Sequence, residues 1–150
     1  METIVHFLDW TFAVDKQLTE SIYANVLKGG AEECGCSMCR NYIQYRRNIY
    51  PIEIEQLFQN LGIDINKDFE IYHNTRLAQN LHSYGGWYNF AGKILKENES
   101  KIAVINPYFS IGFVQIDKPS VTFFENIKLP IVQVEIYFDI PWVISEVEPD

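Results

Sequence analysis

The stretch that decides the fold is Val132-Gln133-Val134-Glu135-Ile136-Tyr137-Phe138. Its aliphatic and aromatic residues alternate with more polar ones, and this period of two is typical of a strand with one buried face. Pro141 follows and ends the strand. Further segments that predict strands cover residues 3–14, 69–73, 87–95, 101–105 and 109–116. The sequence therefore predicts a series of strands separated by segments of hairpin length.

A helical region interrupts the strands in the middle of the chain. One apolar stripe repeats at i, i+3, i+4 and i+7 and consists of Ile54, Leu57, Phe58 and Leu61. Gly62 follows as a C-cap, and Ser37 can cap an upstream helix. We expect two central helices, at about 38–49 and 51–61, and a short helix within 17–27.

The order of a strand, then helices, then strands favours an α+β fold. We expect a mostly antiparallel sheet with the two central helices packed on one side. The chain has 150 residues and a mass of 17.5 kDa, which suits a single domain over residues 1–150.

The charge of the chain restricts its partners. The net charge is −8 and the pI is about 4.8, which argues against binding to nucleic acids or to anionic membranes. An acidic protein suits a basic protein partner, while the oligomeric state stays open. The N-terminus lacks the basic, apolar pattern of a signal peptide, and three cysteines in a non-secreted chain indicate a reducing compartment. We expect a cytoplasmic protein.

All three cysteines, Cys34, Cys36 and Cys39, fall within six positions. The Cys36-x-x-Cys39 half has the spacing of a zinc knuckle, and Cys34 adds a third thiolate. A tetrahedral site needs a fourth ligand; we predict His82, with His6 and His73 as the other candidates. Two alternatives stay open. A helix N-terminus can make Cys36 or Cys39 reactive, or three reduced thiols simply pack the start of a helix.

Arginines form a second candidate site, because residues 37–50 contain three of them and no acid. Arg40 and Arg47 are seven residues apart, so on one helix they would share a face and could hold a small anion or phosphate. The alternative is that they pair with the many carboxylates of the same chain.

The third candidate site is a glycine pair among rings, Tyr84-Gly85-Gly86-Trp87-Tyr88. The pattern predicts a tight turn that exposes Tyr84, Trp87 and Tyr88 for binding a ligand or partner. It lacks the Lys-Ser/Thr ending of a phosphate loop. The alternative is a hairpin turn whose rings cap the sheet.

Several segments together resemble a small family of uncharacterised bacterial proteins. They are Cys34–Tyr42, Tyr50-Pro51, Leu61-Gly62-Ile63-Asp64 with Lys67, Tyr84–Gly92 and Pro141-Trp142. The shared pattern is CxCxxCxN(Y/F), LGID and YGGWY. The resemblance implies a bacterial source and a common architecture, and it implies no activity. After Tyr88 the family tends to carry His, whereas this chain has Asn89.

The motifs of common enzyme classes are missing, including Gly-x-Ser-x-Gly, His-Glu-x-x-His and Gly-x-Gly-x-x-Gly. We therefore expect a non-enzymatic binding protein, comparable with immunity proteins that neutralise a basic partner. The first alternative is a domain supported by zinc on Cys34, Cys36 and Cys39. The second is a cysteine-dependent enzyme.

Overall fold

A computed structural model describes residues 2–116 and 130–150. Its strands are β1 (Thr3–Phe7), β2 (Trp10–Val14), β3 (Glu70–Ala78), β4 (Leu81–Lys96), β5 (Ile102–Asn106), β6 (Phe109–Ile116) and β7 (Ile131–Ile140). The helices are α1 (Lys16–Ala24), α2 (Gly30–Cys34), α3 (Ser37–Tyr45) and α4 (Ile52–Leu61), with a 3-10 helix at Arg46–Asn48. Every strand pairing in the described part of the chain is antiparallel, and the helices are gathered between β2 and β3. The predicted α+β class is therefore confirmed.

Strand β4 organises the sheet, whose order is β1-β2-β4-β7-β6-β5. One edge of β4 pairs with β7, while the other pairs first with β3 and then with β2. Helix α1 fills the gap between β3 and β2. There the Thr19 hydroxyl accepts a hydrogen bond from the Ala91 N–H at 3.0 Å, and the Tyr23 hydroxyl bonds the backbone of Asn89. The helix thus satisfies backbone groups that no strand reaches.

The helices pack on one side of the sheet, as predicted. The apolar stripe of α4 is buried, and Gly62 ends the helix in the left-handed conformation with φ +86. Inward-facing residues of β4 and β7, including Tyr88, Phe90, Val134 and Ile136, are fully buried beneath the helices. The opposite side of the sheet is partly exposed, in agreement with the alternation in β7.

Several predicted boundaries are wrong. Residues 3–14 form a hairpin of two strands, in which Leu8 turns the chain with φ 51. Helix α3 ends at Tyr45 and continues only as a 3-10 turn, and its N-cap is Cys36 in place of Ser37. The predicted turn at Gly85-Gly86 lies inside β4. Gly85 makes room for the Tyr72 side chain, and Gly86 makes room for the Ile71 side chain and the Glu70 carbonyl. The sequence pattern could not distinguish this crowding from a turn.

None of the helices described in residues 2–116 and 130–150 combines the length and the apolar character that crossing a bilayer requires.

Candidate metal centre

The three cysteines meet at the junction of α2 and α3. Cys34 is the last residue of α2, Cys36 is the N-cap of α3, and Cys39 lies in the first turn of α3. Gly35 separates the two helices with φ +66, and a side chain there would meet no other atom within 4 Å. Only glycine takes this conformation without a cost of about 1–2 kcal/mol. The chain therefore reverses sharply between Cys34 and Cys36.

The sulfur atoms of Cys34, Cys36 and Cys39 lie within 4.8 Å of one another. Atoms spaced in this way share a point no more than about 2.8 Å from each, and a zinc–sulfur bond is about 2.3 Å. Cys34 and Cys36 are exposed and Cys39 is buried, so solvent reaches the cluster from one side. The three cysteines are close enough to hold a metal ion.

The pKa values of the Cys36 and Cys39 thiols are shifted in opposite directions. Partial burial raises the pKa of the Cys36 thiol, but hydrogen bonds from the backbone of Cys39 and Met38 and from the other two thiols outweigh this and lower it. Burial raises the pKa of the Cys39 thiol, and its hydrogen bonds with the Cys36 and Cys34 sulfurs, together with their charge, raise it further. The Cys39 N–H lies 3.5 Å from the Cys36 sulfur. Cys36 is therefore the thiol of this pair that ionises more readily, which suits a metal ligand or a nucleophile.

Arg40 lies beside the cluster and joins it to the C-terminal segment. Its guanidinium donates hydrogen bonds to the Gly35 carbonyl and to both carboxylate oxygens of Glu146. The Glu146 carboxylate and, more weakly, Cys36 raise the pKa of Arg40. Arg40 is therefore paired with a carboxylate of the same chain, which is the alternative to an anion site.

Arg47 lies outside the helix that carries Arg40. Since α3 ends at Tyr45, Arg47 belongs to the 3-10 turn and the predicted common helix face is wrong. Arg47 is exposed and lines a surface pocket of about 450 Å³ together with Arg46, Glu32 and Glu55. Two acids thus accompany the two arginines there. Glu32 also pairs with Arg46 at 3.5 Å, so this pocket is not purely basic.

His82 lies away from the cysteines and is outside the group of ligand atoms that they form. It is fully buried on β4, where its Nδ1 is 2.9 Å from Nε2 of His73 and its Nε2 is 3.4 Å from the Glu148 carboxylate. Burial and the neighbouring His82 lower the pKa of His73. The structure therefore assigns His82 to a histidine pair beneath the C-terminal segment.

Glu148 fixes the C-terminal segment over this histidine pair. Its carboxylate lies 2.7 Å from the Arg76 guanidinium and accepts hydrogen bonds from the Asn80 N–H at 3.0 and 3.1 Å. The bond from Asn80 is the main reason that the pKa of Glu148 is lowered. Together with the pair of Arg40 and Glu146, these contacts hold the C-terminal segment at two neighbouring acids.

The three predicted aromatic residues lie on opposite sides of β4. Tyr84 and Tyr88 are fully buried on the helix side, whereas Trp87 is half-buried on the other side. The Tyr84 hydroxyl donates to the Met38 carbonyl at 2.8 Å, which links the sheet to the first turn of α3. Burial raises the pKa of Tyr84 to about 12. Of the three rings, Trp87 has the most access to solvent.

A chain of buried hydroxyls links the sheet to the helices, and the sequence pattern did not reveal it. The Tyr50 hydroxyl lies 2.6 Å from that of Tyr42 and 2.7 Å from that of Tyr88, which in turn donates to the Ile65 carbonyl at 2.7 Å. Burial raises the pKa of all three tyrosines. The hydroxyls therefore remain protonated and act as hydrogen-bonding groups.

Asp68 is a fully buried acid that the sequence pattern also failed to reveal. One carboxylate oxygen accepts a hydrogen bond from the Ala31 N–H at 3.1 Å, and the other has no hydrogen-bond partner. Burial raises the pKa of Asp68 to about 6. No periodicity marks the residue, because its burial results from the docking of α2 onto the start of β3.

Comparison of the chain with protein-family models, with curated proteins and with solved structures finds no match.

Proposed function

We propose that this chain is a zinc-binding domain in which Cys34, Cys36 and Cys39 hold the ion. The observation that carries the proposal is the mutual approach of the three sulfurs to within 4.8 Å at one helix junction. A tetrahedral zinc site needs sulfurs about 3.8 Å apart, so side-chain rotations and small shifts suffice to close it.

The chemistry of the cluster favours a soft metal. Thiolates select zinc, copper(I) and iron–sulfur clusters over magnesium or calcium. The Cys36-x-x-Cys39 spacing and the turn at Gly35 match the way in which structural zinc sites are assembled. Zinc with three thiolates carries a net charge of −1, and the Arg40 guanidinium, which also pairs with Glu146, lies within electrostatic reach of Cys36.

The proposed ion would support the junction between α2 and α3. Helix α2 has only five residues, and isolated helices of this length are unstable in water. An ion bound by Cys34, Cys36 and Cys39 together would fix the end of α2 to the start of α3. Among the described residues the group consists of three sulfurs, and we propose water or an external ligand for the fourth position.

Metal analysis of protein purified without chelator tests the proposal. We expect close to one zinc ion per chain, and loss of the ion in Cys34→Ser, Cys36→Ser and Cys39→Ser. Ser37→Ala is the matched control, because residue 37 lies in the same turn and is not a proposed ligand. Replacement by cobalt(II) should produce sulfur-to-cobalt charge-transfer bands in the wild type and in Ser37→Ala.

Less than about 0.2 zinc per chain, with all three thiols titrating freely before a chelator is added, would overturn the proposal. Retention of full zinc occupancy in two of the three cysteine variants would also contradict it, since the ligands would then lie elsewhere.

A further inference from the structure

The side of the sheet that faces away from the helices carries a cluster of rings and acids. It consists of Glu70, Tyr72, Trp87, Glu135 and Tyr137, and we name it the acidic aromatic face. Its residues form two rows across β3, β4 and β7. In one row Trp87 lies between Glu70 and Glu135, and in the other Gly85 lies between Tyr72 and Tyr137.

Gly85 gives this face its shape. A Cβ at position 85 would lie 2.5 Å from Cζ of Tyr72 and 2.8 Å from its Cε2, so the Tyr72 ring extends over the glycine. The rings of Tyr72 and Trp87 have centroids 6.1 Å apart and planes inclined at 53°. The backbone of Gly85 is thus the floor of a shallow depression, with half-buried rings on its sides.

The charges around this depression are negative. The outward positions 83–89 of β4, 133–139 of β7 and 110–114 of β6 include Glu135 and Asp139 and no lysine, arginine or histidine. Burial is the main cause that raises the pKa of Tyr72, and the charges of Glu135 and Glu70 raise it further. Glu135 and Tyr72 act in the same way on Tyr137. The carboxylates therefore lie within electrostatic reach of the rings.

We propose that the acidic aromatic face binds an arginine side chain presented by a basic protein partner. A guanidinium is attracted by the faces of tryptophan and tyrosine rings and pairs with carboxylates, and both kinds of group are adjacent here. The net charge of −8 attracts a basic partner over a longer range. This surface lies on the opposite side of the sheet from α3, and its function does not depend on a bound metal.

Binding of a labelled arginine-rich peptide, followed by fluorescence anisotropy at low and moderate salt, tests the inference. Trp87→Leu should weaken binding about 2- to 30-fold. Glu135→Gln should weaken it more than Glu53→Gln, which removes the same charge from an exposed site on α4. Trp87→Leu and Glu135→Gln should retain the wild-type metal content and circular dichroism spectrum. This result separates the inference from the proposed zinc site.

Gly85→Ala provides a second variant that leaves the acids and Trp87 in place. It should displace the Tyr72 ring and weaken the peptide without unfolding the protein, because the atoms in the way belong to a side chain that can rotate.

Equal effects of Glu135→Gln and Glu53→Gln, with no effect of Trp87→Leu, would overturn the inference and indicate nonspecific attraction. Tighter, Trp87-dependent binding of a neutral oligosaccharide than of the arginine-rich peptide would also overturn it.

Discussion

Substitution of Asp68 by asparagine should stabilise this protein at neutral pH. The folded state raises the pKa of Asp68 from 3.8 to about 6, mainly because the carboxylate is fully buried. Well below pH 3.8 the group is protonated in both the folded and the unfolded chain, so it contributes no pH dependence there. Between these two values the unfolded chain ionises while the folded chain holds its proton, and stability falls as the pH rises.

The magnitude follows from the size of the shift. Each pKa unit corresponds to about 1.4 kcal/mol, so ionised Asp68 lowers the free energy of unfolding by up to about 3 kcal/mol above pH 6. Asparagine cannot ionise, and its side-chain oxygen can still accept the hydrogen bond from the Ala31 N–H. The difference in stability between Asp68→Asn and the wild type should therefore grow in favour of the variant from pH 4 to pH 7.

Urea unfolding at a series of pH values measures this difference. Glu53→Gln is the control, because it removes one negative charge from an exposed position and reports the general effect of net charge. A difference that stays constant from pH 4 to pH 7 would show that Asp68 titrates normally in the fold. A growing advantage of the wild type would mean that the fold stabilises the carboxylate, and it would refute the reasoning.

Three further substitutions test other parts of the structure. Tyr50→Phe should lower the free energy of unfolding by about 1–3 kcal/mol in urea titrations, because it removes the central hydroxyl of a buried chain, whereas Tyr45→Phe outside that chain should have little effect. Gly86→Ala should destabilise the protein by at least about 1 kcal/mol more than Gly85→Ala, because its Cβ would meet the Glu70 carbonyl at 2.6 Å; equal melting curves would contradict this. Glu148→Ala should accelerate hydrogen exchange of the Asn80 N–H, which loses its acceptor, while Val147→Ala at an exposed neighbouring position should leave the exchange rate unchanged.

The sequence predicted those features that depend on local periodicity and on backbone conformation. The alternation of residues 132–138 indicated a strand with one buried face, and the stripe on α4 indicated which side of that helix packs. Gly62 was recognised as a C-cap because the left-handed conformation favours glycine. The crowding of Cys34, Cys36 and Cys39 along the chain marked their cluster, since residues so close in sequence have little freedom to separate in space.

Features that depend on contacts between distant segments were not predictable. The chain separation between Asn41 and Val143, or between Tyr50 and Tyr88, leaves no trace in local periodicity, although hydrogen bonds join both pairs. The glycine pair at 85–86 illustrates the same limit. A turn and a crowded central strand both favour glycine, one for its backbone freedom and the other for its missing side chain.

The amino-acid order alone therefore determined the α+β class, the positions of the main helices and the clustering of the three cysteines along the chain, because each depends on near neighbours in the sequence. The approach of the three sulfurs to within 4.8 Å came from the structure. Only the tertiary structure decided that His82 pairs with His73 and Glu148, that Asp68 is buried, and that Tyr72 and Tyr137 flank Gly85. These arrangements depend on strand register and helix docking, which bring together residues far apart in the sequence.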